Sequence, residues 1–349
     1  MTLSTRRSLL VSAAALAAAA PLGVETSAAQ SATSIRFILD WKYQGIHAFV
    51  FWAQDKGYFS KEGLNVTVDQ GDGSAATISH IASGAYDAGL GDINAVVALA
   101  GKEPGKQPVM VYMMYNNAPY ALITKASSAV KTLKDLEGRT VGYPAGASAG
   151  LLFPVLTKLN GVDLSKIKII NMSPALQEQM MLKNEVDASA VYTVTSYVNL
   201  IAQKVNPDTD IRWLYYAKYG INPYANGVMV SQKLMKEHPQ AVAGLVRALN
   251  RAFIESALNP DAAVELLMKR QPLLNAALEK KRLIYAYKTC FVTPETEKIG
   301  VGNVTDDHMN ATIKLDIEAF TLSHSPKFAD VFSRSFLPPI SDRMLKLPT

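Results

Sequence analysis

IRFILDWKYQGIHAFVFWAQDKGYFSKEGLNVTVDQGDGS, residues 35–74, is the stretch on which the fold turns. Residues 35–39 are largely apolar and β-branched, as a short strand requires. Residues 47–56 carry apolar side chains around most of the helical circumference. Gly57 ends that helix, because glycine enters the left-handed turn of a helix end without a Cβ penalty. Residues 65–68 read as a second strand, and Gly73-Ser74 opens another helix with Ser74 as its N-cap. Strand, aromatic-polar loop, helix and strand within forty residues make the unit of an open α/β sheet. Such sheets bind ligands at the carboxyl ends of their strands.

The alternation continues outward. A helix over 75–83 stops at Gly84, a strand follows at 88–90, and Gly91-Asp92 caps a helix over 93–100. Strands are expected at 109–114, 120–124, 140–143, 167–170, 188–191, 213–216 and 227–231. Helices are expected at 151–159, opened by the small-residue loop 144–150, and at 174–183. From 232 onward the pattern turns helical, with segments at 240–257, 260–270, 275–287 and 306–320. The expectation is an α/β protein of two lobes joined by two crossings, near 118–124 and 222–227. One lobe is 34–117 plus 227–349 and the other 118–226, with the helical tail wrapped on a lobe or on the junction.

Composition narrows the function classes. The 349 residues are 49% hydrophobic and 19% charged, ordinary for a folded protein of two lobes. The formal net charge of +5 is spread along the chain, with one short run at Lys280-Lys281-Arg282, so it reads as solvation rather than a nucleic-acid footprint. Cys290 is the only cysteine, which rules out an intrachain disulfide and a thiolate metal cage. Residues 1–29 form a leader: Arg6-Arg7-Ser8-Leu9-Leu10, an apolar run over 11–20, and a cleavage site at Ser27-Ala28-Ala29. The adjacent arginines point to twin-arginine export, with the ordinary secretory route as the alternative. The expected mature protein is periplasmic, soluble and monomeric, begins near Gln30, and uses no cofactor and no metal.

Several short motifs stand out along the chain: Leu39-Asp40-Trp41, His47, Gly57-Tyr58-Phe59, Glu62-Gly63-Leu64, Gly73-Ser74, Ser83-Gly84-Ala85-Tyr86-Asp87-Ala88-Gly89, Gly138-Arg139-Thr140-Val141-Gly142 and Phe336-Leu337-Pro338. Together they resemble the pyrimidine-precursor, sulfonate and nitrate group of periplasmic substrate-binding proteins. Each is weak alone; their order and spacing from about residue 35 to 338 carry the assignment. The resemblance implies a bilobed, type II periplasmic binding fold that closes on a small molecule and delivers it to an ABC permease in the inner membrane. Pyrimidine synthases of the yeast type share the fold. They are cytosolic and carry a cysteine-rich motif, whereas this chain has a leader and a single cysteine.

The candidate ligand contacts lie at the ends of the expected strands. Gly73-Ser74, Gly91-Asp92 and Gly146-Ala147-Ser148 each lead into a helix start, where free backbone N–H groups favour an anion or a carbonyl oxygen. Asp92 would repel an anion; it either caps its own helix or accepts a ligand N–H. Trp41 and Tyr43 can stack on a planar ring or sit in the core. His47 can exchange a hydrogen bond with a ligand or with the protein. Gln70, Tyr115, Asn116, Tyr192 and Asn226 complete the set, with Tyr192 facing Trp41 across the cleft and Asn226 at the second crossing. By the resemblance, pyrimidine binders often carry a carboxylate where Gln70 stands, and the amide weakens the case for a cationic ligand. Gly146–Gly150 fits the nucleophile-elbow pattern but lacks the downstream acid and base in a strand-end context, so an esterase is disfavoured. The expected ligand is a small planar heterocycle of the pyrimidine kind or a small organic anion. A sensory receptor using the same cleft is the remaining alternative.

Overall fold

In this computed structural model residues 32–347 are described, so the leader lies outside the described residues. The strands are β1 (Thr33–Ile38), β2 (Leu64–Asp69), β3 (Ala88–Asp92), β4 (Val109–Met113), β5 (Tyr120–Lys125), β6 (Thr140–Tyr143), β7 (Lys168–Asn171), β8 (Ala188–Tyr192), β9 (Ile211–Tyr215) and β10 (Asn226–Val230). They form two five-stranded sheets, in the orders β2-β1-β3-β10-β4 and β7-β6-β8-β5-β9. In each sheet three parallel strands meet an antiparallel strand, which pairs in turn with the edge strand. The alternation of Leu64 and Val66, buried, with Asn65 and Thr67, exposed, marks β2 as an edge with one wet face. β3, β4 and β10 are buried throughout.

Helices cover both sheets. α1 (Ala48–Asp55) follows the loop after β1 and buries six of its eight residues, which is why its sequence is apolar all round. α2 (Tyr58–Lys61) starts after Gly57, whose φ of 68° bears out the left-handed stop. α3 (Ala76–Ala82) and α4 (Ile93–Lys102) complete the first lobe's N-terminal half; α5 (Ser148–Leu159), α6 (Gln177–Leu182) and α7 (Thr193–Ala202) belong to the second sheet. The tail contributes α8 (Gln232–Glu237), α9 (Pro239–Leu258), α10 (Pro260–Met268), α11 (Ala276–Ala286), α12 (Thr296–Ile299), α13 (Asp306–Phe320) and α14 (Phe328–Val331). α9 and α10 pack on α1, α13 packs on α4, and α11 bridges to α7.

The chain passes from the first sheet to the second between β4 and β5, at 114–119, and returns between β9 and β10, at 216–225. Both passages are pinned by the tail. Glu295 accepts from Asn116 Nδ2 at 2.8 Å on the first passage and from the Tyr224 hydroxyl on the second. His308 reaches Glu295 Oε2 through Nδ1 (3.4 Å) and the Asn222 carbonyl through Nε2 (3.0 Å), with its ring 3.8 Å from that of Tyr224. These bonds hold Glu295 down at about 2 against the opposing effect of burial.

Candidate functional site

Strand register fixes the centre of the site. Asp92, ending β3, pairs with Asn226, opening β10; Tyr192, ending β8, pairs with Tyr120, opening β5. The two sheets meet at these ends. The Tyr192 hydroxyl lies 2.9 Å from each of Ser74 Oγ, Asp92 Oδ2 and Asn226 Oδ1, so one group of the second lobe touches three of the first. Tyr120 also donates to Asp92. Burial pushes the Asp92 carboxyl up, partly offset by the bonds from Tyr120, Asn94 and Tyr192.

Asn226 Nδ2 donates in turn to Asp40 Oδ2 at 2.5 Å, and His47 Nε2 lies 2.8 Å from Asp40 Oδ1. His47 Nδ1 accepts from the Gln44 backbone N–H at 3.1 Å, which places the imidazole proton on Nε2 and makes His47 a donor to Asp40. Asp40 is therefore held from both sides, 4% exposed, at the carboxyl end of β1.

The cavity between the lobes is lined on one side by Asp40, Trp41, Ile46 and Ser74, and on the other by Ala147, Gln177, Tyr192 and Thr195. Its volume, counted as the space open to the centre of a water molecule, is about 20 Å³, room for about one water. The lobes are shut. Ala75 and Ala76 donate their N–H groups to the Gly146 carbonyl at 3.1 and 3.3 Å, and Ser74 Oγ lies 3.1 Å from Ser148 Oγ. Gly73 and Gly146 touch across the mouth: a Cβ on Gly73 would fall 2.1 Å from the Gly146 oxygen.

Of the residues expected from sequence, Trp41, Ser74, Ala147 and Tyr192 line this cavity, and Gly73, Asp92, Gly146, Ser148 and Asn226 stand directly behind or beside it. Gly91 lies under Ser74, where a Cβ would come within 3.0 Å of the Ser74 carbonyl. Others belong elsewhere. Tyr43, partly buried, packs edge-on against Phe51 at the margin of the core and donates to the Val68 carbonyl. Gln70 is exposed beyond β2, because the chain turns away there, with Gly71 bonded to Trp41 O. Asn116 bonds Glu295 and Thr293 at the first passage rather than the cavity. Tyr115 is buried beside Tyr192, ring centroids 6.2 Å apart. His47 acts through Asp40. Ser74 is not the N-cap of α3. The Gly146 carbonyl of the other lobe meets the N–H groups there, freeing the Ser74 hydroxyl for Ser148 and Tyr192. Asp92 does cap α4, accepting from Asn94 N at 2.8 Å.

Sequence reasoning missed Asp40, Ile46, Gln177 and Thr195. Asp40 was within reach, since it ends the first strand of a parallel sheet. Gln177 opens α6 after a short turn at 174–176, and Thr195 lies in the first turn of α7, which follows β8 directly and which no local signal marks as facing a cavity. Cys290 is buried, its thiol pushed up to about 12 by burial. Among the described residues no group of His, Cys, Asp and Glu is arranged to hold a metal ion, and no helix is long and apolar enough to cross a membrane.

Comparison with known proteins agrees with this architecture. The riboflavin-binding protein RibY of Chloroflexus aurantiacus is 24% identical over 292 residues, covering 82% of this chain and 81% of its own. The formylaminopyrimidine-binding protein of Halalkalibacterium halodurans is 24% identical over 248 residues, 70% and 73% of the two chains. Relatives at 22–24% identity in Legionella pneumophila and Schizosaccharomyces pombe are named 4-amino-5-hydroxymethyl-2-methylpyrimidine phosphate synthase. The alkanesulfonate-binding protein SsuA of Xanthomonas axonopodis pv. citri, solved bound to MOPS, superposes with a TM-score of 0.62 at 16% identity, over 84% of this chain and 95% of its own. The fold is that of the periplasmic binding proteins. The model of the family described as NMT1/THI5 like matches residues 44–263, more than half of the sequence, and the chain belongs to that family.

Proposed function

We propose that the protein is the solute-binding component of an ABC importer, exported to the periplasm with its leader removed near Ala29. It takes up a small planar nitrogen heterocycle between its lobes and hands it to an inner-membrane permease. One observation carries the choice of ligand. The cavity is walled by the rings of Trp41 and Tyr192 and by the Asp40 carboxylate, and among the described residues no Lys, Arg or His lines it. A planar ring gains stacking contact there. A ring N–H or amino group finds an acceptor in Asp40, whereas a sulfonate or nitrate would face a carboxylate with no cation to pair it. The charge of the cavity thus favours the pyrimidine side of the family over the sulfonate ligand of the structural neighbour. The relatives named as binding proteins support the transport reading.

Because the shut cleft holds about one water, the ligand enters an opened form and is enclosed by lobe closure. The test is a thermal-shift and calorimetric screen of the mature protein with 4-amino-5-hydroxymethyl-2-methylpyrimidine, formylaminopyrimidine, riboflavin, taurine, alkanesulfonates and nitrate. Stabilisation by a heterocycle, with the compound recovered unchanged by mass spectrometry, is the expected result. Tighter binding of a sulfonate overturns the ligand assignment. Chemical conversion of a bound heterocycle favours the second reading, a pyrimidine synthase, which the names of several relatives raise.

A further inference from the structure

α11 carries a buried ion pair that the ligand cavity does not use directly. Glu279 and Arg282 are each 4% exposed on a face otherwise made by Leu283 and Ala286. The guanidinium meets the carboxylate through two bonds, Nε to Oε2 at 3.0 Å and Nη2 to Oε1 at 3.2 Å. Each partner then reaches a different cavity wall. Glu279 Oε2 accepts from the Gly45 N–H at 2.6 Å, one residue before Ile46, which lines the first-lobe wall. Arg282 Nη1 donates to the carbonyls of Val194 (3.2 Å) and Thr195 (2.6 Å), and Nη2 donates to Asn199 Oδ1 at 2.9 Å, all on α7 of the second lobe. Thr195 itself lines the cavity, and its hydroxyl donates to Gln44 Oε1 at 3.1 Å. At Gly45 a Cβ would lie 2.1 Å from the Glu279 carbonyl oxygen, so a glycine is what lets the Trp41–Ile46 loop approach α11.

We infer that Glu279 and Arg282 are positioning residues that latch the two lobes in the closed form, acting from behind the cavity walls without touching the ligand. A buried ion pair is a poor source of stability, since desolvation offsets most of its attraction, and apolar residues of similar volume replace such pairs at little cost to folding. What this pair supplies is geometry: it fixes the distance between the loop after β1 and the first turn of α7. The latch does not depend on the identity of the ligand, and it can fail or hold independently of the transport reading.

The test is the double variant Glu279→Leu with Arg282→Met, followed by thermal unfolding and by small-angle X-ray scattering of ligand-free protein. Two apolar side chains avoid the lone buried charge that a single substitution would leave. The expected result is an unfolding midpoint close to that of the native protein and a larger radius of gyration, with the closed-to-open ratio reduced by about tenfold or more. Arg282→Lys, which keeps the charge but loses the fork, is expected to lie between the two. An unchanged radius of gyration in the double variant overturns the latch. A parallel loss of compactness and unfolding midpoint also overturns it, because a merely structural role would produce that.

Discussion

Adding one methyl group at Gly73 separates closure from folding. Gly73 is not among the glycines with positive φ, so alanine meets no backbone strain in the first lobe. The three atoms nearest its methyl group all belong to Gly146 of the other lobe, the oxygen at 2.1 Å, where ordinary contact begins at 3.4 Å. The carbonyl must retreat by more than roughly 1 Å, and the bonds it accepts from Ala75 and Ala76, already 3.1 and 3.3 Å long, then exceed hydrogen-bond reach. The Ser74–Ser148 bond next to them goes as well. Three bonds at about 1 kcal/mol each make about 3 kcal/mol against the closed form, roughly a hundredfold in the closure equilibrium and hence in ligand affinity. Stability of the open protein should stay level or rise by up to about 1 kcal/mol, because alanine restricts the unfolded chain. Calorimetric titration of Gly73→Ala with the tightest heterocycle of the screen, alongside an unfolding curve, reads both quantities. Affinity within threefold of the native protein, with folding intact, would refute the reasoning: the contact would then not belong to the ligand-bound state.

Three further outcomes follow from titratable groups. Asp40→Asn should weaken an N–H-donating heterocycle by about 10–100-fold, the loss of a hydrogen bond to a charged group, while leaving sulfonate binding no weaker; calorimetry on both ligand types checks it. The Glu295–His308 pair gives a pH signature. Burial opposes the imidazolium, but the bonds to Glu295 and Asn222 raise His308 above 6.5 on balance, so its contribution is present below about 6.5 and is lost as pH rises through the raised value. His308→Gln should therefore flatten the pH dependence of the unfolding midpoint above pH 6.5, and an unchanged slope counts against the pair. Asp316 is buried with neither carboxylate oxygen hydrogen-bonded among the described residues, and burial first, then Asp92, pushes it well above the carboxylate range. A raised acid disfavours the folded state as pH climbs past about 4, so Asp316→Asn should raise the midpoint at pH 7–8 and have little effect at pH 4, read by calorimetric unfolding.

Which parts of this molecule could be read in advance follows from the range of the interactions involved. The stop at Gly57, the cap at Asp92 and the alternation in β2 are local, and the sequence displays them because the responsible groups lie within four residues. Trp41, Ser74, Ala147 and Tyr192 were reachable because strand ends converge in this class of sheet. The role of Ser74 was not. A serine before a helix is ordinarily a cap, and only the arrival of Gly146 from the other lobe releases its hydroxyl. Tyr43 lies outside the cavity for a related reason: side chains a few residues apart in a loop point to different sides once the loop is folded, and Asp40 and Trp41 took the inward positions, while Gln70 is carried to the surface where the chain turns after β2. Glu279 and Arg282 gave no signal at all, since two charges three apart on a helix look like a solvated face until the neighbouring helix covers them.

The shut cleft answers its own polar groups: Ser74 to Ser148, Tyr192 to Asp92 and Asn226, Gly146 to the start of α3. A ligand thus arrives as a substitute. Away from Asp40, each oxygen or nitrogen it offers exchanges one partner for another, with little net change, whereas each square ångström of ring it hides from water is new gain. Ranking among ligands of one shape should then follow their greasiness, with a methylated ring held more tightly than its hydroxylated counterpart. The carboxylate at Asp40 decides which rings are admitted, and hydration decides how long they stay.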